Sequence, residues 1–211
     1  MHIPDGFLDT KTWVALNVIS AGVLGLAIRK TRDSLGEKQI PLMGVMAAFI
    51  FAAQMINFPV SGGTSGHFMG GVLAAILLGP LSAMIVMAVV LIVQCFIFQD
   101  GGITALGANI FNMSVIASMG GYLIYWGISK IGGKSKINIT AIFIASWLSI
   151  ILAASVCSVE LAISGTVPLN ITLPAMAGVH TLIGIGEGLI TVLVLSFVLK
   201  VRPDLLDLEK A

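Results

Sequence analysis

Apolar residues fall in long unbroken runs along this chain, and polar residues gather between the runs rather than alternating within them. A helix needs about 20 predominantly apolar residues to cross the hydrocarbon core of a bilayer. The runs predict seven membrane-spanning helices, near 12–28, 41–58, 68–79, 81–98, 105–128, 138–163 and 177–199. The third is short: about 12 residues at 1.5 Å each cover roughly 18 Å. Gly79-Pro80 then breaks it from the fourth. The expected fold class is all-α and polytopic, one transmembrane domain over residues 1–211.

The basic residues orient the helices. Arg29, Lys30, Arg32 and Lys38 follow the first span, Lys130, Lys134 and Lys136 the fifth, and Lys200, Arg202 and Lys210 the seventh. Seven crossings put all three clusters on the cytoplasmic side, as the positive-inside rule requires, and leave only Lys11 outside. The N-terminus is thus expected outside and the C-terminus in the cytoplasm. Residues 1–10 lack a positive n-region, and the positive residues follow the first apolar run, which favours an uncleaved first helix over a signal peptide.

Composition narrows the function classes. Hydrophobic residues make up 57% and charged residues 10% of the 211, against about 25% charged in an ordinary soluble domain. A soluble enzyme, a disordered chain and a nucleic-acid binder are excluded. The net charge of +1 points to no charged macromolecular partner. Cys95 and Cys157 lie in apolar runs and form no CxxC pair. The 24 glycines include small-residue spacings such as Gly66/Gly70 and Gly184/Gly188, which allow close helix packing. Gly132-Gly133-Lys134-Ser135 resembles the end of a phosphate-binding loop, but the required first glycine is Ile128. Any ATP-driven work must therefore be done by other subunits.

The opening Met1-His2-Ile3-Pro4-Asp5-Gly6 carries chemistry of its own. A free Met1 amine, the His2 backbone nitrogen and His2 Nδ1 can close a five-membered and a six-membered chelate ring on one metal ion. A deprotonated amide nitrogen is a strong-field donor, and square-planar nitrogen coordination suits Ni(II) or Cu(II). Pro4-Asp5-Gly6 reads as a turn that could fold these residues back into the protein. A fourth donor is wanted. The glycine-rich segment after the second span, Ser61 to His67, lies on the same face in this topology and offers His67.

Several segments resemble the CbiM/NikM family, the substrate-capture subunits of cobalt and nickel energy-coupling-factor transporters. They are the opening hexapeptide, Gly62-Gly63-Thr64-Ser65-Gly66-His67-Phe68-Met69-Gly70-Gly71, Phe98-Gln99-Asp100-Gly101-Gly102, Leu106 to Met113 and His180 to Gly188. The resemblance covers most of the chain. It implies metal ligation by Met1, His2 and His67, with Ni2+ or Co2+ as the carried ion and no resident cofactor. It also implies partners: a transmembrane coupling subunit, two ATP-binding-cassette ATPases and often a further small membrane subunit. The setting it implies is a prokaryotic cell membrane. Four nitrogens including an amidate favour nickel; affinity order alone would favour copper.

Polar groups inside the spans need roles of their own. Gln54, Asn57, Gln94, Gln99, Asn109 and Asn112 cluster toward the outer halves of the spans, and Ser65 lies beside His67. They either orient the metal-binding groups or join helices by hydrogen bonds. His180 and Glu187 share one helix face two turns apart. They read either as a relay, which a stand-alone proton-coupled metal transporter would need, or as two buried groups hydrogen-bonded to neighbouring helices. Glu160 is expected to be solvated at the outer end of the sixth span, and Asp100 to serve the Asp-Gly-Gly turn. An intramembrane metalloenzyme lacks support: there is no HExxH and no nucleophile–base pair.

Overall fold

The structure, a computed structural model, describes residues 1–32, 35–36, 39–131 and 138–206. Among the described residues eight α-helices carry the fold: α1 (Thr10–Thr31), α2 (Gln39–Gln54), α3 (Gly71–Leu78), α4 (Pro80–Phe98), α5 (Leu106–Ile110), α6 (Gly121–Ile131), α7 (Ile139–Ile163) and α8 (Leu169–Val201). A π-helical stretch, Phe111–Gly120, joins α5 to α6 in one rod, and a short hairpin pairs β1 (Asn57–Pro59) with β2 (Ser65–His67). By length and apolarity, α1, α4, α7 and α8 could each cross a membrane. Their outward residues are apolar: Val18, Leu26, Leu182, Leu193 and Phe197 are all exposed. Small polar residues, Ser114, Ser118, Ser146, Ser158 and Thr191, are buried instead. That distribution suits a lipid solvent, where apolar faces cost nothing and polar groups must find partners inside.

Four expectations change. The second helix stops at Gln54, because Asn57–Pro59 is drawn into the hairpin with β2 and Pro59 cannot continue a helix. The third is only eight residues, about 12 Å long, and every one is buried. Alone it is too short to span; it is an internal half-helix packed between its neighbours. The fifth predicted span is widened by the π-helical stretch. The last helix begins at Leu169, eight residues before the expected start. Pro174 lies in its second turn, close enough to the N-terminus that few helical hydrogen bonds are forfeited.

Hydrogen bonds show which helix ends share one end of the bundle. Asp9 caps α1, accepting from the Lys11 and Thr12 N–H groups at 3.2 Å each, and takes the Ser164 hydroxyl at the end of α7 at 3.3 Å. Thr166, just beyond, donates to the Phe7 carbonyl. Arg29, Lys30, Lys130, Lys200 and Arg202 are exposed at the distal ends of α1, α6 and α8. Lys38, Lys134, Lys136 and Lys210, and the Gly132–Ser135 segment, lie outside the described residues.

The α1–α5 crossing fixes the frame around the N-terminus. Asn17 Oδ1 accepts from Gly107 N–H at 3.0 Å, its Nδ2 donates to Thr104 O at 2.8 Å, and Ser20 Oγ donates to Gly107 O at 2.6 Å. A Cβ on Gly107 would sit 2.3 Å from Asn17 Cα. Gly107→Ala should therefore destabilise the protein by about 1–3 kcal/mol. Gly22→Ala, on the same helix pair but with nothing within 4 Å of its Cβ position, should change stability by less than about 0.5 kcal/mol. Thermal unfolding in detergent checks both; equal effects would mean that the crossing is loosely packed.

Candidate metal centre

The first three residues are buried and tied down by backbone bonds. Ile3 N–H donates to Asn109 Oδ1 at 2.8 Å, and Ile3 O accepts from Asn109 Nδ2 at 3.1 Å and Gly102 N–H at 2.8 Å. Asp5, read in the sequence only as part of a turn, has a further job. Its carboxylate accepts from the Thr104 N–H at 2.8 Å and the Ile103 N–H at 3.1 Å, and also from the Thr104 hydroxyl. These bonds, the hydroxyl first, hold its carboxyl below the usual range. Gly102 is required here, since a Cβ would lie 2.3 Å from Asp5 N. The N-terminus thus forms a hook seated on the 100–109 segment.

The His67 segment is held from two other helices. Gly70, in the left-handed region at φ 78°, turns the chain into α3. The Met69 and Gly70 N–H groups donate to Glu187 Oε2 and Oε1 at 2.7 Å each. Gln54 Nε2 donates to Met69 O at 2.9 Å. Glu187, buried on α8, is hydrogen-bonded to the segment leading into a neighbouring helix: its two oxygens clamp the backbone beyond His67. His180 hydrogen-bonds Met176 O of its own helix through Nδ1 at 2.7 Å.

Hook and hairpin meet. The Met1 amine lies 2.7 Å from His67 Nε2 and 2.9 Å from Ser65 Oγ, and the His2 N–H donates to the same Ser65 oxygen at 3.1 Å. The two imidazoles stack with centroids 4.7 Å apart. Hydrogen-bond polarity then assigns the tautomers. Met69 O can only accept, so Gln54 turns its NH2 to it and its oxygen to Gln94 Nε2, 3.1 Å away. Gln94 must then face His2 Nε2 with its oxygen, at 3.0 Å, so that nitrogen carries the proton. His2 Nδ1 is left bare, buried and without a hydrogen-bond partner. By the same logic Phe68 O, 2.7 Å from His67 Nδ1, places that ring's proton on Nδ1 and leaves Nε2 bare toward the amine. Both rings therefore turn an unprotonated nitrogen inward, the state in which imidazole binds metal.

Burial is also the main influence on charge. It pushes the Met1 amine down from 8.0 to about 5, against the smaller opposing influence of Cys157 and Asp100. Burial, then the amine's charge, pushes His2 down to about 3. His67 is held well below its usual range, first by burial, then by the amine. All three groups are neutral near pH 7. Among the described residues no cluster of three or more His, Cys, Asp or Glu side chains could hold a metal.

The remaining sequence candidates divide. Asn109 and Gln94 touch the hook directly, and Gln54 bonds Met69 O just beyond the hairpin. Ser65 lies within reach of both N-terminal nitrogens. Asn57 donates to Asp100 Oδ2 at 3.2 Å, and Gln99 closes α4 at φ 55°. Both line a cavity of about 370 Å³ together with His2, Ser65 and Asp100. Asn112 does not orient His67: it donates to Glu160 Oε2 at 2.7 Å. Glu160 is buried rather than solvated, its carboxylate turned inward to Asn112. Asp100 does more than turn the chain; its Oδ1 stands 3.3 Å from His2 Nδ1.

Fold and site together define a polytopic helical membrane protein with a nitrogen-lined pocket where its N-terminus folds back into the bundle. The sequence profile described as the cobalt uptake substrate-specific transmembrane region, CbiM, matches residues 2–205. The chain belongs to the CbiM family. It is 46% identical over 213 residues to a protein of Archaeoglobus fulgidus named as a fused nickel transport protein, NikMN, spanning 100% of this chain and 70% of that one. It is 42% identical to a protein of Haloquadratum walsbyi named as a metal transport protein, over 97% of this chain and 93% of that one. The crystal structure of a truncated transition metal transporter superposes with a TM-score of 0.89 at 35% identity, over 95% of this chain and 99% of that chain. This is a transport component of the cobalt and nickel class, a multi-pass protein of the prokaryotic cell membrane.

Two measurements check the electrostatics. In metal-free protein, the 15N resonances of His2 and His67 should report opposite tautomers, and Gln94→Leu should release only that of His2. A titration of the α-amine should have its midpoint near 5 rather than 8.0. Because the folded chain then binds fewer protons than the unfolded one between those values, the amine's contribution to stability is greatest above about pH 8 and declines as pH falls toward 5. An amine midpoint near 8 would mean that the hook is open to water.

Proposed function

We propose that this chain captures a divalent transition-metal ion, Ni2+ before Co2+, for ATP-driven uptake by partner subunits. The donors are the Met1 amine, the His2 backbone nitrogen, His2 Nδ1 and His67 Nε2. The observation that carries the reading is the 2.7 Å separation of the amine and His67 Nε2 beside a bare, buried His2 Nδ1. Metal–nitrogen bonds of about 2 Å place neighbouring donors in a plane about 2.8 Å apart. On metal uptake the His2 amide gives up its proton, and Ser65 Oγ loses both hydrogen bonds it now accepts. An amidate with three neutral nitrogens forms a strong in-plane field, which favours low-spin nickel.

Seven crossings with the N-terminus outside would put this pocket on the outer face and the exposed basic helix ends on the cytoplasmic face. The half-helix α3 and the segment leading into it would then make the third crossing together. Driving force comes from two ATP-binding-cassette ATPases acting through a transmembrane coupling subunit, with a small membrane subunit as an additional partner. This chain's own glycine-lysine segment lacks the spacing of a phosphate-binding loop. The fused nickel transport protein among its relatives supports the metal class.

The test is metal titration of protein purified with a free Met1 amine. Nickel should bind one per chain and give a yellow, diamagnetic complex. One added N-terminal residue should abolish tight binding, and so should His67→Ala, whereas His180→Ala should leave affinity nearly unchanged. Equal losses in the two histidine variants, or a paramagnetic octahedral nickel spectrum, would rule out this donor set.

Apparent affinity should rise by about tenfold per pH unit from about 6 to 8, the signature of one displaced amide proton. It should steepen near pH 5, where the amine regains its proton. A flat profile from 6 to 8 would exclude the amidate.

A further inference from the structure

Resting on the four-nitrogen reading above, we propose that Asp100 Oδ1 and His2 Nδ1 form a separate landing site for a hydrated divalent cation, from which the ion passes to the inner nitrogens. The two atoms are 3.3 Å apart, and the Asp100 side chain is 21% exposed while that of His2 is 2% exposed. They face one another at the cavity of about 370 Å³ that also reaches Asn57 and Gln99. Both are acceptors. The chain of amides from Met69 O through Gln54 and Gln94 fixes the His2 proton on Nε2, so Nδ1 turns a lone pair toward a carboxylate oxygen. Two facing lone pairs at that distance repel unless a positive charge lies between them. A pair of neighbouring ligands on one ion, with bonds of about 2.1 Å, is separated by about 3 Å. The spacing suits a cation that keeps its other waters.

The carboxylate is aimed rather than free. Asn57 Nδ2 holds Oδ2 at 3.2 Å, which leaves Oδ1 for His2. Asp100 N–H donates to Gln94 O at 3.0 Å, after Gln99 at φ 55° and before Gly101 at φ 98°. The same turn thus sets both the carboxylate and, through Gln94, the ring it faces. His2 Nδ1 belongs to the landing site and to the inner plane alike. The ion can therefore exchange the Asp100 oxygen and its waters for the amine, the amide nitrogen and His67 Nε2 without leaving Nδ1. Asp100 is in this reading a ligand of arrival and not of the final complex.

Stopped-flow mixing of Ni2+ with the full chain, free at Met1, separates the two. Asp100→Ala should lower the association rate about tenfold, within the range that a focused charge supplies. The dissociation rate should fall by about the same factor, so that the affinity and the absorption of the bound state stay unchanged. Added salt should slow the wild type more than the variant. Asp100→Glu should recover most of the rate. An unchanged association rate in Asp100→Ala overturns the proposal. So does a dissociation rate that stays the same or rises, or an altered spectrum, each of which would put the carboxylate in the final complex. A slow rate that Asp100→Glu does not recover also overturns it, marking a structural role. If the wild type binds no nickel, the inner site itself is wrong, a result distinct from all of these.

Discussion

Two backbone carbonyls, those of Phe68 and Met69, set the direction of the polar network on which the centre depends. A carbonyl only accepts, so each forces a donor onto the group facing it. At Phe68 the donor is His67 itself; at Met69 the requirement passes through Gln54 and Gln94 before reaching His2. The chain has an acceptor at its buried end and no freedom to reverse. One residue step in the β2–α3 connection therefore governs two rings 65 positions apart in sequence. Replacing either glutamine by a side chain of similar shape but one polarity would break the sequence of donors at that link.

The surroundings make that polarity consequential. In a bilayer the outward faces of the helices are apolar, and the burden of satisfying polar groups falls on the interior. Glu187 illustrates the rule: both of its oxygens are taken by successive amides at the N-terminal end of α3, where the helix dipole favours negative charge. Glu160 is met by Asn112. The nitrogens of the hook are the contrast. They are packed where water is scarce, and burial keeps the amine and the imidazoles neutral, with lone pairs in place before any ion arrives.

Much of the helical architecture was legible in the runs of apolar residues, because membrane helices need little else to announce themselves. The ends were harder. Asn57-Phe58-Pro59 continues an apolar run and joins a strand only because Ser65–His67 returns beside it, a pairing set by tertiary structure. The sequence placed His2 and His67 on one face by counting spans, and the structure brings them together. It gave no sign that Phe68 and Met69 would matter, since every residue has a carbonyl. Asp100 before two glycines reads as a turn, which it is; its second task depends on which way a carboxylate points. Glu160 reads as a solvated helix end because no local pattern foretells that Asn112, 48 positions away, meets its carboxylate.

The hook has a consequence for the order in which the molecule assembles. Residues 1–3 find their partners 63 to 106 positions later, at Ser65, His67, Gln94 and Asn109. Those partners lie on three separate elements that must already be in register. Closing such loops is slow and costs entropy that only the finished contact returns. The segment of residues 1–3 is therefore among the last to be seated. Until it is, Ser65, His67, Gln94 and Asn109 lack the partners that residues 1–3 bring, and the bundle is finished only when that segment has been threaded home.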